Sequence, residues 1–268
     1  MTEPSEPPSP AATSQADFDR LLRALPVWHP ARTTLPAFDT EGAPGSPLPL
    51  FRTWFAEAAE AGQAEPQTVS LATTDAEGRA DVRTVMLHGA DDRGWWFASH
   101  EGSRKGRQLH ARPFAALGFY WPVLGRQVRV RGTVTPLPGA AAQADLHARS
   151  TGALASALVG RQSEVLGSYG ELVRASETAW NRASREPRAE APSWTLYLLR
   201  PEEAEFFQGD SHRRHVRLRY RLAGPAEQDG PDGPQAPQPQ HAPERAEQTA
   251  SPSQAPEPAP WVRELLWP

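Results

Sequence analysis

Residues 126–136 read RQVRVRGTVTP. Val128, Val130 and Val134 alternate with Gln127, Arg129, Arg131 and Thr133, a period of two that fits a strand and not a helix. Such a strand sets one face against a core and needs neighbours for its backbone hydrogen bonds. The sequence supplies them. TVSLATT, ADVRTVMLH, GWWFAS, FAALGFYW, WTLYLLRP and EAEFFQG are short apolar or alternating runs, parted by turn signals such as DAEG at 75–78 and GADDRG at 89–94. Helical periodicity is confined to inserts. PLFRTWFAEAAEAG places Leu50, Trp54, Ala58 and Ala61 on one face with Gly62 as C-cap, and Ser103 caps RKGRQLHAR before Pro113. Further helical segments are expected over about 139–157 and 169–184. Strand meanders with inserted helices predict a mainly β, α+β architecture built on an antiparallel barrel, not alternating βαβ units.

The ends differ in kind. Residues 1–16 are rich in Pro, Ser and Ala, and residues 223–260 hold no aromatic residue and no aliphatic one beyond alanine. Neither can bury enough surface to offset its ordering entropy, so both are read as disordered. The domain is placed at 17–222, with WVRELLWP at 261–268 returning as a final strand that completes it. The 268 residues include no cysteine, which excludes disulfides, thiolate metal sites and cysteine nucleophiles. A net charge of −4 argues against a nucleic-acid coat. The start lacks a basic, apolar leader, and no run reaches the length of a membrane span. A cytoplasmic protein without a membrane or nucleic-acid partner is the expectation.

Two cationic features stand out on this mildly acidic body. The first is GDSHRRHVRLRYRL at 209–222. Read as a strand, it puts Arg213, His215, Arg217, Arg219 and Arg221 on one face and Val216, Leu218, Tyr220 and Leu222 on the other. That face is either solvated or an anion site, since arginine grips phosphate and carboxylate in two-pronged geometry and histidine moves protons near neutrality. The second is SRKG at 103–106. Arg104 and Lys105 in a first helical turn oppose the helix dipole, and an anion bound there would reconcile them. No glycine-rich dinucleotide fingerprint, P-loop, serine-hydrolase elbow or metal-ligand spacing is present, and no metal is expected.

Taken together, RTVMLHG, GWWFASHEGSRKGRQL, FYWPVLGRQVRVRG, RQSEVLGS and EFFQGDSHRRHVRLRY resemble, in order and spacing, the pyridoxamine 5′-phosphate oxidase family of flavin oxidases. The resemblance runs from about Phe51 to Tyr220. It implies an FMN-binding split β-barrel and a homodimer with FMN at the interface. Carried over by position, Arg83, Ser103, Arg104 and Lys105 would contact FMN, largely around its phosphate. Ala98 and Ser99 would be a flavin-contacting pair. Gln127 would hydrogen-bond the flavin, and Gln162 and Ser163 would reach it from the neighbouring subunit. Phe207 stands where the family usually has tryptophan, and Arg217 would also touch the cofactor. Arg213 and His215 match the family's catalytic Arg-x-His. Arg219 and Arg221 have no role in the motif and are read as solvated.

The substrate-phosphate positions depart from the family. Its lysine, tyrosine and serine are here His88, Asp145 and Ala153, and only Arg149 is retained. A carboxylate at Asp145 repels a phosphate dianion. The resemblance implies oxidation of pyridoxamine or pyridoxine 5′-phosphate by oxygen. The stretch FDTEGAPGSPLPLFRTWFAEA, the pair Glu65–Pro66 and the ending LLWP also resemble the phenazine-biosynthesis flavin oxidases, which is the alternative. A non-catalytic flavin-binding protein is a third reading, disfavoured by the presence of Arg213 and His215.

Overall fold

The computed structural model describes residues 14–26, 28–29, 31–224 and 261–268. The expected 223–260 tract lies outside these apart from Ala223 and Gly224, as does most of the 1–16 segment. Six helices and eight strands are described. They run α1 (Gln15–Ala24), α2 (Pro47–Glu60), β1 (Thr68–Thr74), β2 (Ala80–Asp91), β3 (Gly94–His100), α3 (Arg104–Ala111), β4 (Phe114–Trp121), β5 (Arg126–Leu137), α4 (Ala140–His147), α5 (Thr151–Val159), α6 (Tyr169–Arg185), β6 (Trp194–Gln208), β7 (Val216–Leu222) and β8 (Trp261–Leu266).

All pairings are antiparallel, in the order β3-β2-β1-β4-β5-β6-β7-β8, and β3 also pairs with β6. That extra pairing closes six strands into a barrel and leaves β7 and β8 as an extension from the far half of β6. The barrel interior holds Leu71, Phe97, Leu117, Phe119, Val128, Val130 and Phe206, and the apolar face of α2 closes one end with Phe51 and Trp54. The alternation read in 126–136 is the observed burial of β5, with Val128 and Val130 wholly inside.

Three local expectations are corrected. WTLYLLRP and EAEFFQG are not two strands but the single β6. Pro201, between the two runs, sits opposite Gly132 where the β5–β6 register shifts. A proline has no ladder hydrogen to give, and a bulge tolerates it. The segment 139–157 is two helices, because Ser150 accepts a hydrogen bond from the Ala153 N–H and starts α5 anew. The cationic strand begins at Val216, so Arg213 and His215 precede it. Arg213 instead has a φ of +67°, in a tight turn. The amphipathic helix α1 was not read from the sequence, and it begins at Gln15, inside the segment taken as a tail.

At the bulge, a Cβ on Gly132 would lie 1.9 Å from the Arg200 carbonyl oxygen. Gly132→Ala is therefore expected to cost about 1–3 kcal/mol, lowering the thermal midpoint by roughly 3–10 °C, as followed by circular dichroism.

Candidate active site

The best-formed cavity encloses about 600 Å³ between β2, β3, α5 and α6. Its polar wall carries His88, Ser99, Lys105 and Gln162, and Leu172, Trp180 and Trp194 line the apolar side. Lys105 is the focus. It is 8 % exposed, yet its ammonium forms no ion pair among the described residues. Its Nζ donates to Ser99 Oγ at 3.0 Å and to Gln162 Oε1 at 2.8 Å. Burial, then the nearby Arg83 charge, pushes its pKa down to about 8, against a partial pull from Asp81.

The neighbouring cations share one carboxylate. Asp81 Oδ2 lies 2.8 Å from Arg83 Nη2 and 3.2 Å from Arg104 Nε, and also accepts from Gln108 Nε2 at 3.1 Å. Arg83 is braced further by the Leu71 carbonyl, Thr73 Oγ1 and Gln108 Oε1. Arg83, Arg104 and Lys105 thus stand against Asp81 alone, an excess of two positive charges. The α3 N-terminus adds its dipole. The residues fit a dianionic phosphate, as SRKG suggested.

Ser103 is corrected. It is fully buried, and its hydroxyl donates to the His100 carbonyl at 2.7 Å and accepts from the Gly106 N–H at 3.2 Å. Its task is to cap α3, not to reach into the cavity. Gly106 is required there because a Cβ would lie 2.1 Å from the Glu101 carbonyl. Gln162 and Ser163, expected to reach the flavin from the neighbouring subunit, hydrogen-bond residues of their own chain. Gln162 Oε1 accepts from Lys105 and from Ser99 Oγ, and Ser163 Oγ accepts from the Arg104 N–H at 3.1 Å. Ser163 holds a φ of +76°, a strained conformation for a residue with a side chain.

The remaining expected residues form a second group. Gln127 pairs with Phe207, and Phe207 pairs with Arg217, in a row across β5, β6 and β7. His215 stacks beside Phe207 with ring centroids 5.2 Å apart. Its Nδ1 accepts the Asp210 N–H at 3.0 Å, which places the proton of the neutral ring on Nε2. Arg213 is exposed and forms no ion pair among the described residues. Arg217 does not hold the free charge expected of it. Its guanidinium grips both carboxylate oxygens of the buried Glu205 at 2.9 and 3.0 Å and donates to the Trp267 carbonyl. Arg219 and Arg221 are not solvated either, since both bind Glu264.

Sequence reading missed Trp28. Its indole meets His215 edge-on at 5.9 Å. A Cβ on Gly209 would lie 2.3 Å from this indole, and one on Gly125 would crowd both it and Leu35. Two glycines therefore make the seat, and the Gly209 N–H donates to the Gly125 carbonyl to join them. No local pattern marks such a long-range contact in advance.

The two groups lie at opposite ends of β6. Ala98 and Ser99 pair with Leu196 and Thr195, whereas Gln127 pairs with Phe207. The interval from Thr195 to Phe207 is about 40 Å of strand contour at roughly 3.3 Å per residue. The expected site residues of one chain thus fall into two separate groups.

Two family models divide the chain before β6. The family model described as pyridoxamine 5′-phosphate oxidase matches residues 55–183, and that described as the pyridoxine 5′-phosphate oxidase C-terminal dimerisation region matches 194–268. A pyridoxine/pyridoxamine 5′-phosphate oxidase from Salinibacter ruber is 42% identical over 67% of this chain and 84% of its own. One from Rubrobacter xylanophilus is 41% identical over 69% of this chain and 85% of its own. This chain belongs to the pyridoxamine 5′-phosphate oxidase family. It is thereby an oxidoreductase of the FMN-dependent type. Among solved structures, PhzG from Burkholderia lata 383 in complex with tetrahydrophenazine-1-carboxylic acid superposes with a TM-score of 0.70. It is 26% identical and covers 88% of this chain and 100% of its own.

Lys105 has a signed effect on the ligand-free fold. Its folded pKa of about 8 lies below the ordinary 10.5, so the folded state binds fewer protons than the unfolded chain between those values. The Lys105 contribution to stability therefore rises from pH 8 to pH 10.5. In Lys105→Met this increment is expected to vanish from the difference between urea midpoints at pH 7.5 and pH 10.

Proposed function

We propose that this protein is an FMN-dependent oxidase acting on pyridoxamine or pyridoxine 5′-phosphate. The observation that carries the reading is the cradle of Arg83, Arg104 and Lys105. Of these Lys105 lines a cavity large enough for a flavin-sized ligand, and Arg83 and Arg104, which share Asp81, bring the local excess to two positive charges. Lys105, Arg83 and Arg104 would hold the FMN phosphate, with Ala98, Ser99, Gln162 and Ser163 along the cofactor. Bound FMN supplies the two-electron oxidation and passes the electrons to oxygen, so that pyridoxine 5′-phosphate and O₂ give pyridoxal 5′-phosphate and H₂O₂.

The second half-site would come from the partner in a symmetric homodimer. Gln127 would hydrogen-bond the flavin, with Phe207 packed beside it. His215 presents its Nε2 proton to the substrate, held by Asp210, Phe207 and Trp28. Arg213 clamps the substrate from its left-handed turn. Arg217 acts by fixing β7 against β6 through Glu205. Arg149 and His88 stand at the other end of the substrate. A second reading, oxidation of a reduced aromatic carboxylate, is favoured by the likeness to PhzG in complex with tetrahydrophenazine-1-carboxylic acid. Oxygen uptake by FMN-loaded protein separates them. The first predicts turnover with pyridoxine 5′-phosphate, and turnover with a dihydrophenazine carboxylate alone would replace it.

Two expectations test the site itself. FMN should bind more tightly than riboflavin, and Lys105→Ala should weaken FMN by about 10- to 100-fold, the worth of a charge-assisted hydrogen bond. Flavin fluorescence quenching measures both, and equal affinity for the two flavins would reject the phosphate assignment. Division of the site between chains is tested by co-expressing two variants, Lys105→Ala and His215→Asn, and assaying at an FMN concentration too low to load Lys105→Ala. Mixed dimers carry one intact site, so about a quarter of wild-type activity should return. A site within one chain returns none.

A further inference from the structure

His88 lines the same cavity as Lys105. Behind it lies a compact ionic cluster. Asp145 Oδ2 accepts from His88 Nδ1 at 2.8 Å and from Arg149 Nε at 3.2 Å, while Asp145 Oδ1 accepts from Arg149 Nη2 at 2.9 Å. The cluster is largely sheltered, with side-chain exposures of 7 % for His88, 17 % for Asp145 and 29 % for Arg149. It joins β2 to α4 and the turn before α5. Burial acts to raise the Asp145 pKa, but the His88 and Arg149 hydrogen bonds outweigh it and hold the value at about 2. Asp145 is ionised at any working pH.

The charge balance differs from that around Lys105. There, three cations share one carboxylate and two positive charges are left for a ligand. Here, one carboxylate already takes both forks of the single arginine and the inner nitrogen of the histidine. A dianion placed at this cluster would have to share Arg149 with Asp145 at close range, where like charges repel strongly. Displacing Asp145 would strip a sheltered carboxylate of its partners. The neighbouring Ala153 offers no hydroxyl, and its N–H is already taken by Ser150 Oγ.

We propose that Asp145 is a specificity-determining residue, a resident anion seated between His88 and Arg149 that favours substrates whose group at this end is neutral or singly charged over those carrying a phosphate dianion. This rests on the flavin-oxidase reading of the cavity and refines its substrate class. Under it, a phosphate ester is accepted only in competition with Asp145, and an unphosphorylated ring or a monocarboxylate meets no such competitor.

The experiment uses FMN-loaded wild type and Asp145→Asn, which keeps shape and an acceptor for Arg149 but removes the charge. The probes are pyridoxine 5′-phosphate, pyridoxine and inorganic phosphate. Dissociation constants for the first two are read from the rapid flavin absorbance change that precedes any reduction on anaerobic mixing. That for inorganic phosphate is read from the His88 ring ¹³Cε1 shift, assigned by its loss in His88→Gln. Asp145→Asn should tighten pyridoxine 5′-phosphate and inorganic phosphate at least about tenfold, with pyridoxine changed by less than about threefold. Adding Arg149→Gln should abolish the gain. A purely structural Asp145 would weaken or spare all three ligands together, and an unchanged ratio of phosphorylated to unphosphorylated affinity overturns the proposal. If Asp145→Asn loses FMN or melts early, Asp145→Tyr is measured in its place by the same ratio. Should neither vitamer perturb the flavin, the substrate reading fails by itself, and the inorganic phosphate titration still decides the role of Asp145.

Discussion

The β3–β6 pairing is the constraint on which the rest of the molecule depends. A meander of β3-β2-β1-β4-β5-β6 would be an open sheet with two exposed edges. Pairing Trp95–His100 with Trp194–Leu199 closes it. Because β6 is long, only its first half is consumed in closure. Its second half, Glu203–Gln208, is left to carry β7 and β8. The same strand therefore fixes both the barrel and the separation of the two residue groups, Ala98 and Ser99 by one end and Gln127 by the other. Residues 194–268, which include Phe207, Arg213 and His215, match a dimerisation region.

Electrostatics divides the charged residues more sharply than position does. On the β5–β6–β7–β8 face, arginines and glutamates alternate across strands: Arg131 with Glu203, Arg129 and Arg217 with Glu205, Arg219 and Arg221 with Glu264. These are cross-strand pairs that stabilise register, and their charge is spent within the sheet. Lys105 differs because it is buried without a carboxylate of its own. A buried, unneutralised ammonium is unfavourable for the fold alone. It persists where another selection acts, and strained Ser163 beside it points the same way.

Much of this was legible in the sequence, and the reasons are local. The Val128–Val134 alternation reports burial directly, since side chains alternate across a strand whatever its neighbours do. Ser103 before RKG reports a helix start, since capping is decided within a single turn. What failed was set by distant partners. The RLRYRL pattern read as a free cationic face because Glu205 and Glu264 reach it only through strand pairing. WTLYLLRP and EAEFFQG read as two strands because Gly132, opposite Pro201 at the bulge, is remote in sequence. Asp145 read as a bare repulsive charge, whereas His88, from a strand far upstream, and Arg149 both bind it. The family resemblance grouped Gln162 and Ser163 with Lys105, and the structure joins them by hydrogen bonds within one chain, a connectivity that a motif does not carry.

Trp28 shows how the turn at 209–215 is kept in order. Arg213 has a positive φ, which costs a non-glycine residue energy unless its surroundings hold it. The Arg213 N–H donates to the Asp210 carbonyl, and Asp210 in turn binds the His212 N–H through Oδ1 and gives its own N–H to His215 Nδ1. The turn is thus locked from inside by Asp210 and from outside by the indole lying across Gly125 and Gly209. Both locks act on the same imidazole. One fixes which nitrogen carries the proton, and the other fixes the plane in which that nitrogen points. A histidine so constrained can deliver a hydrogen bond to one place only. A general acid–base or orienting group needs that property, and a solvated surface histidine lacks it.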